Sequence, residues 1–447
     1  MRKLQPGKYV QPIVPEMTQS TEQISQQERS YELLTPLVGG SPDPQVSDPL
    51  SVIRATEIRG QLRFWWRACY GGNYATIEEM KTAEDKLWGK AHTKDEKGPA
   101  FHETIQLCII DPACVPKPAF EYNWDEKKRD WRGKADDNIP EYAAFSLQTP
   151  TVPDQDKKPI PRLMFTDVTF QLTIQFPTNK LKEIEGAFWA WETFGGLGGR
   201  TRRGFGALRQ HNQYAEDPAP QAPKDVTEWI QAQCIAFDVS KKAAPGNTPC
   251  LAQIASATKK GNTLQSNDKP ILGVTPGTGA SEAKTVWKDL IKKLKDFRQI
   301  PKNSPWPETK TIKKLIEQGC KTISEQTEPI GNFPKAALGL PINFHNAKTN
   351  EGWVLQGADE GRERFASPLI LRPLYCLNNR YAGIAFVLTN RELPAKNPVL
   401  FKIVEDKEDK KVKIGDAQTN VPMNNAEFLQ YLGNEADVVL AFMKKNF

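Results

Sequence analysis

Eight of the chain's 19 arginines fall in two short segments, Arg54, Arg59, Arg63 and Arg67, then Arg200, Arg202, Arg203 and Arg209. The 14 residues from Arg54 to Arg67 and the 10 from Arg200 to Arg209 contain one acid, Glu57. A guanidinium presents a rigid fork of donors that matches phosphate oxygens, so arginine at this density suits a polyanion. The second segment lies within Gly195-Gly-Leu-Gly-Gly-Arg-Thr-Arg-Arg-Gly-Phe-Gly206, where six of twelve residues are glycine. Gly196, Gly198, Gly199 and Gly204 permit positive φ and close approach of backbone to a ligand, and Thr201 adds a hydroxyl donor. A purely structural glycine turn is the alternative, but such a turn does not need the arginines. The familiar nucleotide loops do not fit. GxxxxGK[ST] needs a lysine that is absent, and GxGxxG read from Gly196 meets Thr201 where its third glycine belongs.

The elements that must hold these residues are legible. At about 100° per residue, Ile58, Leu62, Trp65 and Cys69 share one arc of a helix spanning 55–70. Arg59, Arg63, Trp66 and Arg67 occupy the adjacent arc, which reads either as a solvated face or as a guanidinium edge with one stacking aromatic. Gly60, costly inside a helix by about 1 kcal/mol, predicts a close neighbour there. Val168–Phe176 alternates with strand period, and Leu181–Phe194 reads as a helix that delivers the glycine loop. With strands at Tyr31–Val38, Phe101–Ile110, Ala143–Leu147 and Phe205–Arg209, the first half has the strand–helix–strand–strand–helix–strand order of a ferredoxin-like unit. Asp111–Pro140, charged and bearing tryptophans and prolines, reads as an insertion outside the core.

Pro218, Pro220 and Pro223 mark a linker, dividing the 447 residues into domains 1–220 and 221–447. The second half reads as a helix near Asp225–Phe237, a polar loop to about Lys269, and helices at Ala283–Phe297 and Thr309–Gln318. Strands follow at Leu338–Phe344, Phe365–Leu377 and Tyr381–Thr389, then a hairpin at Val399–Val404 and Lys411–Ile414. A closing helix covers Asn424–Asn446. Lys284, Lys288, Lys292 and Lys295 line the outer face of the first long helix and read as solvation. The fold class is α+β.

Composition excludes several functions. A net charge of +6 is mild, hydrophobic residues make up 38%, and no run approaches the roughly 18 apolar residues of a membrane span. Met1-Arg2-Lys3-Leu4-Gln5-Pro6 lacks an apolar signal core, so the expectation is a soluble cytoplasmic protein. Seven cysteines without a CxxC pair suit reduced, structural thiols, and four histidines without HExxH or HxH spacing offer no metal site. No cofactor is expected. A metal-independent ribonuclease needs a general base, and His211 is the one histidine near the loop. It follows the strand rather than entering the loop, so the residues favour a binding module over an enzyme.

Together the two arginine segments resemble the RAMP superfamily of CRISPR effector proteins, whose hallmark is a Gly-rich loop after the last helix of a ferredoxin-like domain. Arg59-Gly-Gln-Leu-Arg-Phe-Trp-Trp-Arg67 is similar to the first-helix motif of the subunit-one family of the Cmr module, the type III-B RNA-guided complex. Asp296-Phe297-Arg298, Pro305-Trp306-Pro307-Glu308, Leu338-Gly-Leu-Pro-Ile342 and Arg364-Phe-Ala-Ser-Pro-Leu-Ile370 agree with it. The resemblance implies two tandem ferredoxin-like (RRM-like) domains with long insertions and a non-catalytic subunit in antiviral defence. It implies contact with the 3′ portion of a guide RNA, with target RNA and with other Cmr RAMP subunits, and no membrane. The alternative is a RAMP endoribonuclease that processes guide precursor RNA. The RNA-contacting residues it points to are Arg54, Arg59, Arg63, Trp66, Arg67, Gly196, Gly198, Gly199, Arg200, Thr201, Arg202, Arg203 and Gly204. Lys335, Arg362, Arg364 and Arg372 are second-half candidates, and Phe205 is a second stacking ring. On this reading Arg202→Glu with Arg203→Glu weakens RNA binding with little change in folding.

Overall fold

A computed structural model describes residues 23–39, 52–90, 105–150, 154–211, 219–275, 282–300, 304–317, 329–346, 351–359, 363–389, 398–403 and 411–447. The first half runs β1 (Ile24–Leu33), α1 (Ala55–Tyr70), α2 (Ile77–Trp88), β2 (Gln106–Pro118), β3 (Phe120–Asp125) and β4 (Asp130–Ala135). It continues with α3 (Glu141–Ala144), β5 (Leu163–Pro177), α4 (Leu181–Phe194) and β6 (Leu208–Gln210). One antiparallel sheet has the order β2-β5-β1-β6. Setting aside α2, α3 and the β3–β4 hairpin, the chain order is β-α-β-β-α-β, with the first strand between the third and the fourth.

Sequence chemistry accounts for these elements. On β5, Val168, Phe170, Leu172, Ile174 and Phe176 alternate onto one face and are buried. Ile58, Leu62, Trp65 and Cys69 of α1 join them in one core, as do Ile184, Phe188 and Trp191 of α4. Each such side chain contributes about 1.5–3 kcal/mol by leaving water. A capping box starts α2: the Thr76 hydroxyl accepts from Glu79 N at 3.1 Å, and Glu79 Oε2 accepts from Ala75 N at 3.0 Å. Gly89, at φ 86°, ends it.

The second half runs α5 (Val226–Ala236), α6 (Ala252–Ala255), β7 (Thr258–Lys260), β8 (Thr263–Ser266), β9 (Lys269–Val274), α7 (Ala283–Arg298) and α8 (Pro307–Glu317). Then come β10 (Ile342–Asn346), β11 (Glu351–Gln356), β12 (Leu369–Cys376), β13 (Arg380–Val387), β14 (Val399–Ile403), β15 (Lys411–Asp416), α9 (Ala426–Tyr431) and α10 (Val438–Asn446). One sheet has the order β12-β13-β9-β8-β7 and is covered by α7 and α10; a second has the order β10-β11-β14-β15. In the first of these, β9, α7, β12, β13 and α10 follow the β-α-β-β-α order. The place beside β9 that a fourth strand would take is filled by β8, which precedes β9 in the chain.

Position 220 separates the sheets but not the cores. The first cluster adds Ile271, Leu272, Ile370 and Ile384 to the residues of α1, α4 and β5, and the second joins Phe120, Met164 and Phe205 to Trp287, Leu294 and Phe442. Four expectations need correction. Asp111–Pro140 is not an excluded insertion: β2 runs on to Pro118, and the β3–β4 hairpin places Phe120, Tyr122 and Trp131 in the second cluster. Ala143–Leu147 is helical, because Pro140 opens a short helix. The polar loop up to Lys269 contains α6, β7 and β8. The closing helix breaks into α9 and α10 around Gly433 and Asn434, both at positive φ, and Asp437 caps the second piece. Among the described residues no helix is long and apolar enough to cross a membrane.

The contact between α1 and α4 depends on Gly186, where a Cβ would overlap the Tyr70 hydroxyl. That hydroxyl lies 3.0 Å from the Phe237 carbonyl and 3.2 Å from that of Lys182, so it has little room to retreat. Gly186→Ala is expected to destabilise the protein by about 1–3 kcal/mol in urea denaturation; an unchanged midpoint would show that the helix pair is loosely packed.

Candidate functional site

The glycine loop leaves α4 and folds into a closed knot. Trp191 Nε1 donates to the Gly196 carbonyl at 3.1 Å, and the Leu197 amide donates to the Gly206 carbonyl at 3.0 Å. The strand after the loop is tied to the segment after β1: Leu34 N donates to Ala207 at 2.7 Å and Gly206 N to Pro36 at 3.0 Å. The Thr35 hydroxyl donates to the Gly204 carbonyl at 2.6 Å and accepts from Ala207 N at 2.9 Å. At Gly206, φ is 61°, and a Cβ would overlap the Leu197 carbonyl, so only glycine closes this crossing. The apex, Thr201–Arg203, is one 3₁₀ turn flanked by Arg200 at φ 61° and Gly204 at φ 84°. Glu57, the single acid of the arginine segments, accepts from the Gly198 amide at 2.5 Å. Burial pushes its carboxyl pKa up, against the opposing pull of that amide and of Arg54.

The apex arginines point inward. Arg200 donates to the Ala143 carbonyl at 2.5 Å, and burial lowers its pKa. Arg202 donates to the Ser367 carbonyl. Arg203 donates to the carbonyls of Leu369 at 3.0 Å and Leu338 at 3.1 Å, while its own carbonyl accepts from Trp287 Nε1 at 2.6 Å. Burial, reinforced by Arg298 and Arg200, brings the Arg203 guanidinium down to about 10. Arg372, fully buried on β12, donates to the Gly195 carbonyl at 2.5 Å, and burial brings it down to about 9. Its location rules out the surface RNA contact expected of it.

The arginine edge of α1 is likewise engaged within the chain. Arg59 donates to the carbonyls of Trp88 at 3.1 Å and Ile105 at 3.0 Å. Arg63 reaches Glu84 at 2.6 Å, Asp85 at 3.0 Å and the Gly89 carbonyl at 2.8 Å. Arg67 pairs with the same Glu84. α2 therefore covers the face that helical periodicity left open. Trp66 is 1% exposed, with Nε1 donating to Glu183 at 3.0 Å, and Phe205 is buried edge-on against Trp287 at 4.8 Å. Neither ring offers a face to a base, which corrects both stacking expectations. Gly60 is exposed with open space where its side chain would be, so no close neighbour explains it.

Of the remaining candidates, Arg54 lies half-buried just ahead of α1, Thr201 is half-buried at the apex, Arg364 is exposed, and Lys335 sits 4.8 Å above the Trp306 ring. Arg362 lies outside the described residues. The predicted residues thus separate into a loop cluster that reaches the second half and an α1 row that binds α2.

The sequence model of the RAMP superfamily matches residues 30–209, which span β1 to β6 and include both arginine segments. Lys335 and Arg364 lie beyond this match. No curated protein matches the chain. Among solved structures, Cmr1 from Pyrococcus furiosus in its apo form is similar at 14% identity and a TM-score of 0.44, over 91% of this chain and 96% of that one. A chain of the type III-B Cmr-beta bound to cognate target RNA is similar at 13% identity and a TM-score of 0.41, covering 82% of this chain and 95% of that one. A further Cmr-beta structure, with target RNA and AMPPnP in the presence of ssDNA, gives 12% identity and a TM-score of 0.42, over 95% and 99%.

Around the two arginine segments, sequence reasoning missed Glu84 and Trp287. Glu84 lies on α2, and nothing local in the sequence marks the arginines opposite it. Trp287 sits on the apolar face of α7, and only the fold brings the loop to it. The geometry also changes the expectation for Arg202 and Arg203: both fasten the RAMP domain to the second half, so reversing their charge unseats the loop. Arg203→Met strands two carbonyls at a cost of about 1–3 kcal/mol each, and a fall in the urea midpoint checks it.

Proposed function

We propose that this chain is a non-catalytic RNA-binding subunit of a type III-B Cmr effector complex. It contacts the 3′ portion of the guide RNA and the target RNA, beside other Cmr RAMP subunits, in cytoplasmic antiviral defence. The two halves are read as tandem ferredoxin-like units, the second with a hairpin strand in place of its fourth strand. The RAMP match to residues 30–209 supports this, as do the motif at Arg59–Arg67 and the Gly-rich loop.

The observation that carries the reading is electrostatic. Arg200 and Arg203 are held by carbonyl oxygens, and among the described residues neither forms an ion pair with a carboxylate. The apex therefore keeps formal positive charge, half-exposed, on a backbone fixed by Glu57, Thr35 and Trp287. Charge presented this way favours phosphate oxygens of any base sequence, as a guide of variable sequence requires. The arginines act through field and position more than by reaching outward, because their forks are already occupied.

Two experiments test the proposal. Thr201→Glu adds an anion at the apex without removing any anchor; it is expected to weaken single-stranded RNA binding by about tenfold at moderate salt while leaving the melting temperature nearly unchanged. Equal affinity would sink the apex as an RNA contact. The endonuclease alternative centres on His211, whose Nε2 lies 3.2 Å from Glu32 beside Arg209. Incubation with labelled repeat RNA in EDTA is expected to give no discrete products; products that vanish in His211→Ala would establish the enzyme instead.

A further inference from the structure

Two second-half motifs and Lys335 meet beside the loop apex. Arg298 ends α7, Trp306 and Glu308 open α8, and Lys335 lies in the 3₁₀ turn Pro334–Leu338. Trp306 Nε1 donates to the Phe297 carbonyl at 3.2 Å, and the two rings meet edge-on at 5.6 Å, which seats Arg298. Glu308, fully buried, accepts from the Lys335 amide at 2.7 Å through Oε1. The last carbonyl of that 3₁₀ turn, Leu338, is one that Arg203 holds. Among the described residues, this part of the seam carries Arg200, Arg203, Arg298 and Lys335 beside the buried acid Glu308.

Arg200 and Arg298 each act on Arg203, and Arg298 also acts on Lys335. Two atoms of this group are buried without a hydrogen-bond partner among the described residues, Arg298 Nε and Glu308 Oε2. All four cations are partly exposed. An excess of buried like charge is costly unless a counter-charge completes it. Burial also brings Lys335 down to about 8, with Arg298 pulling the same way and Glu308 opposing. A multivalent oxyanion relieves that cost by accepting from several donors at once.

We propose that this seam is an oxyanion site that takes one phosphoryl group, with Arg298 and Lys335 of the second half as its donors and Arg203, held on backbone carbonyls, adding its charge. The ligand chemistry is shared by an RNA backbone phosphate and by free phosphate; only the first source rests on the RNA-binding reading. Because charge from both halves faces the ligand, an occupied site also draws the halves together.

The probe is inorganic phosphate, titrated into the full chain by calorimetry at constant ionic strength, with circular dichroism confirming that each variant is folded. Saturable binding is expected, weakened by about tenfold in Arg298→Gln and again in Lys335→Gln, and unchanged in Lys292→Gln on the exposed face of α7. Absence of saturable binding, or equal affinity in both site variants, overturns the site. A second arm uses labelled single-stranded RNA. Competition by phosphate, with a salt slope reduced by about one in Arg298→Gln, identifies the ligand as backbone phosphate. Phosphate binding that survives with RNA affinity and slope unaltered in Arg298→Gln identifies free phosphate. Loss of all RNA binding with the phosphate site intact would defeat the proposed function and leave this site standing.

Discussion

The two halves of this protein are held together by guanidinium groups lying on backbone carbonyls. Arg203 spans the Leu369 and Leu338 carbonyls, Arg202 takes Ser367, and Arg372 reaches back from the other half to Gly195 and Leu208. Carbonyls at loop ends and strand edges have lone pairs to satisfy once buried, and a rigid fork of donors satisfies several at a time. Everything around the loop follows from that constraint. Its glycines allow the backbone to turn tightly enough for arginines to be inserted, Trp287 fixes the carbonyl between them, and the hydrophobic clusters can then run across the seam without a gap.

This arrangement separates arginine's two capacities. On α1 two guanidiniums are neutralised: Arg63 and Arg67 converge on Glu84, only 4% exposed, and that pairing builds the α1–α2 contact. At the loop apex, Arg200 and Arg203 meet neutral acceptors, so the geometry is satisfied while the charge is not. Two rows of arginine that look alike in the chain therefore do different work, one structural and self-cancelling, the other structural and still electropositive.

The parts of the fold visible in the sequence are those whose signal is local. α1 and α4 have the predicted limits because an apolar arc at helical spacing defines both. β5 alternates over nine residues before Pro177 ends it, and the glycine loop is marked by composition alone. The rest depended on partners. Periodicity placed Trp66 beside the arginines on an outer arc, but whether an outer arc meets water depends on α2 and on Glu183 of α4, 117 residues away. Asp111–Pro140 looked too charged for a core because its apolar residues sit one face at a time on a hairpin; Phe120, Tyr122 and Trp131 are buried while Glu121 between them is exposed. Arg298, Glu308 and Lys335 were readable as separate motifs, yet nothing in their spacing shows that they meet.

Their meeting also explains why the second half carries such motifs at all. A carboxylate at position 308 buried against an apolar cluster is expensive, and burial pushes its pKa up while Lys335 and Arg298 hold it back. Using one oxygen to fix the Lys335 amide offsets only part of that cost, since the other oxygen remains unpartnered. A folding role alone would be served by an asparagine or a threonine, which cap an amide without a buried charge. The acid makes sense if it tempers a local excess of positive charge that the fold retains. Glu308 sets one negative charge beside two positive ones, Lys335 and Arg298, and so tempers their charge without cancelling it.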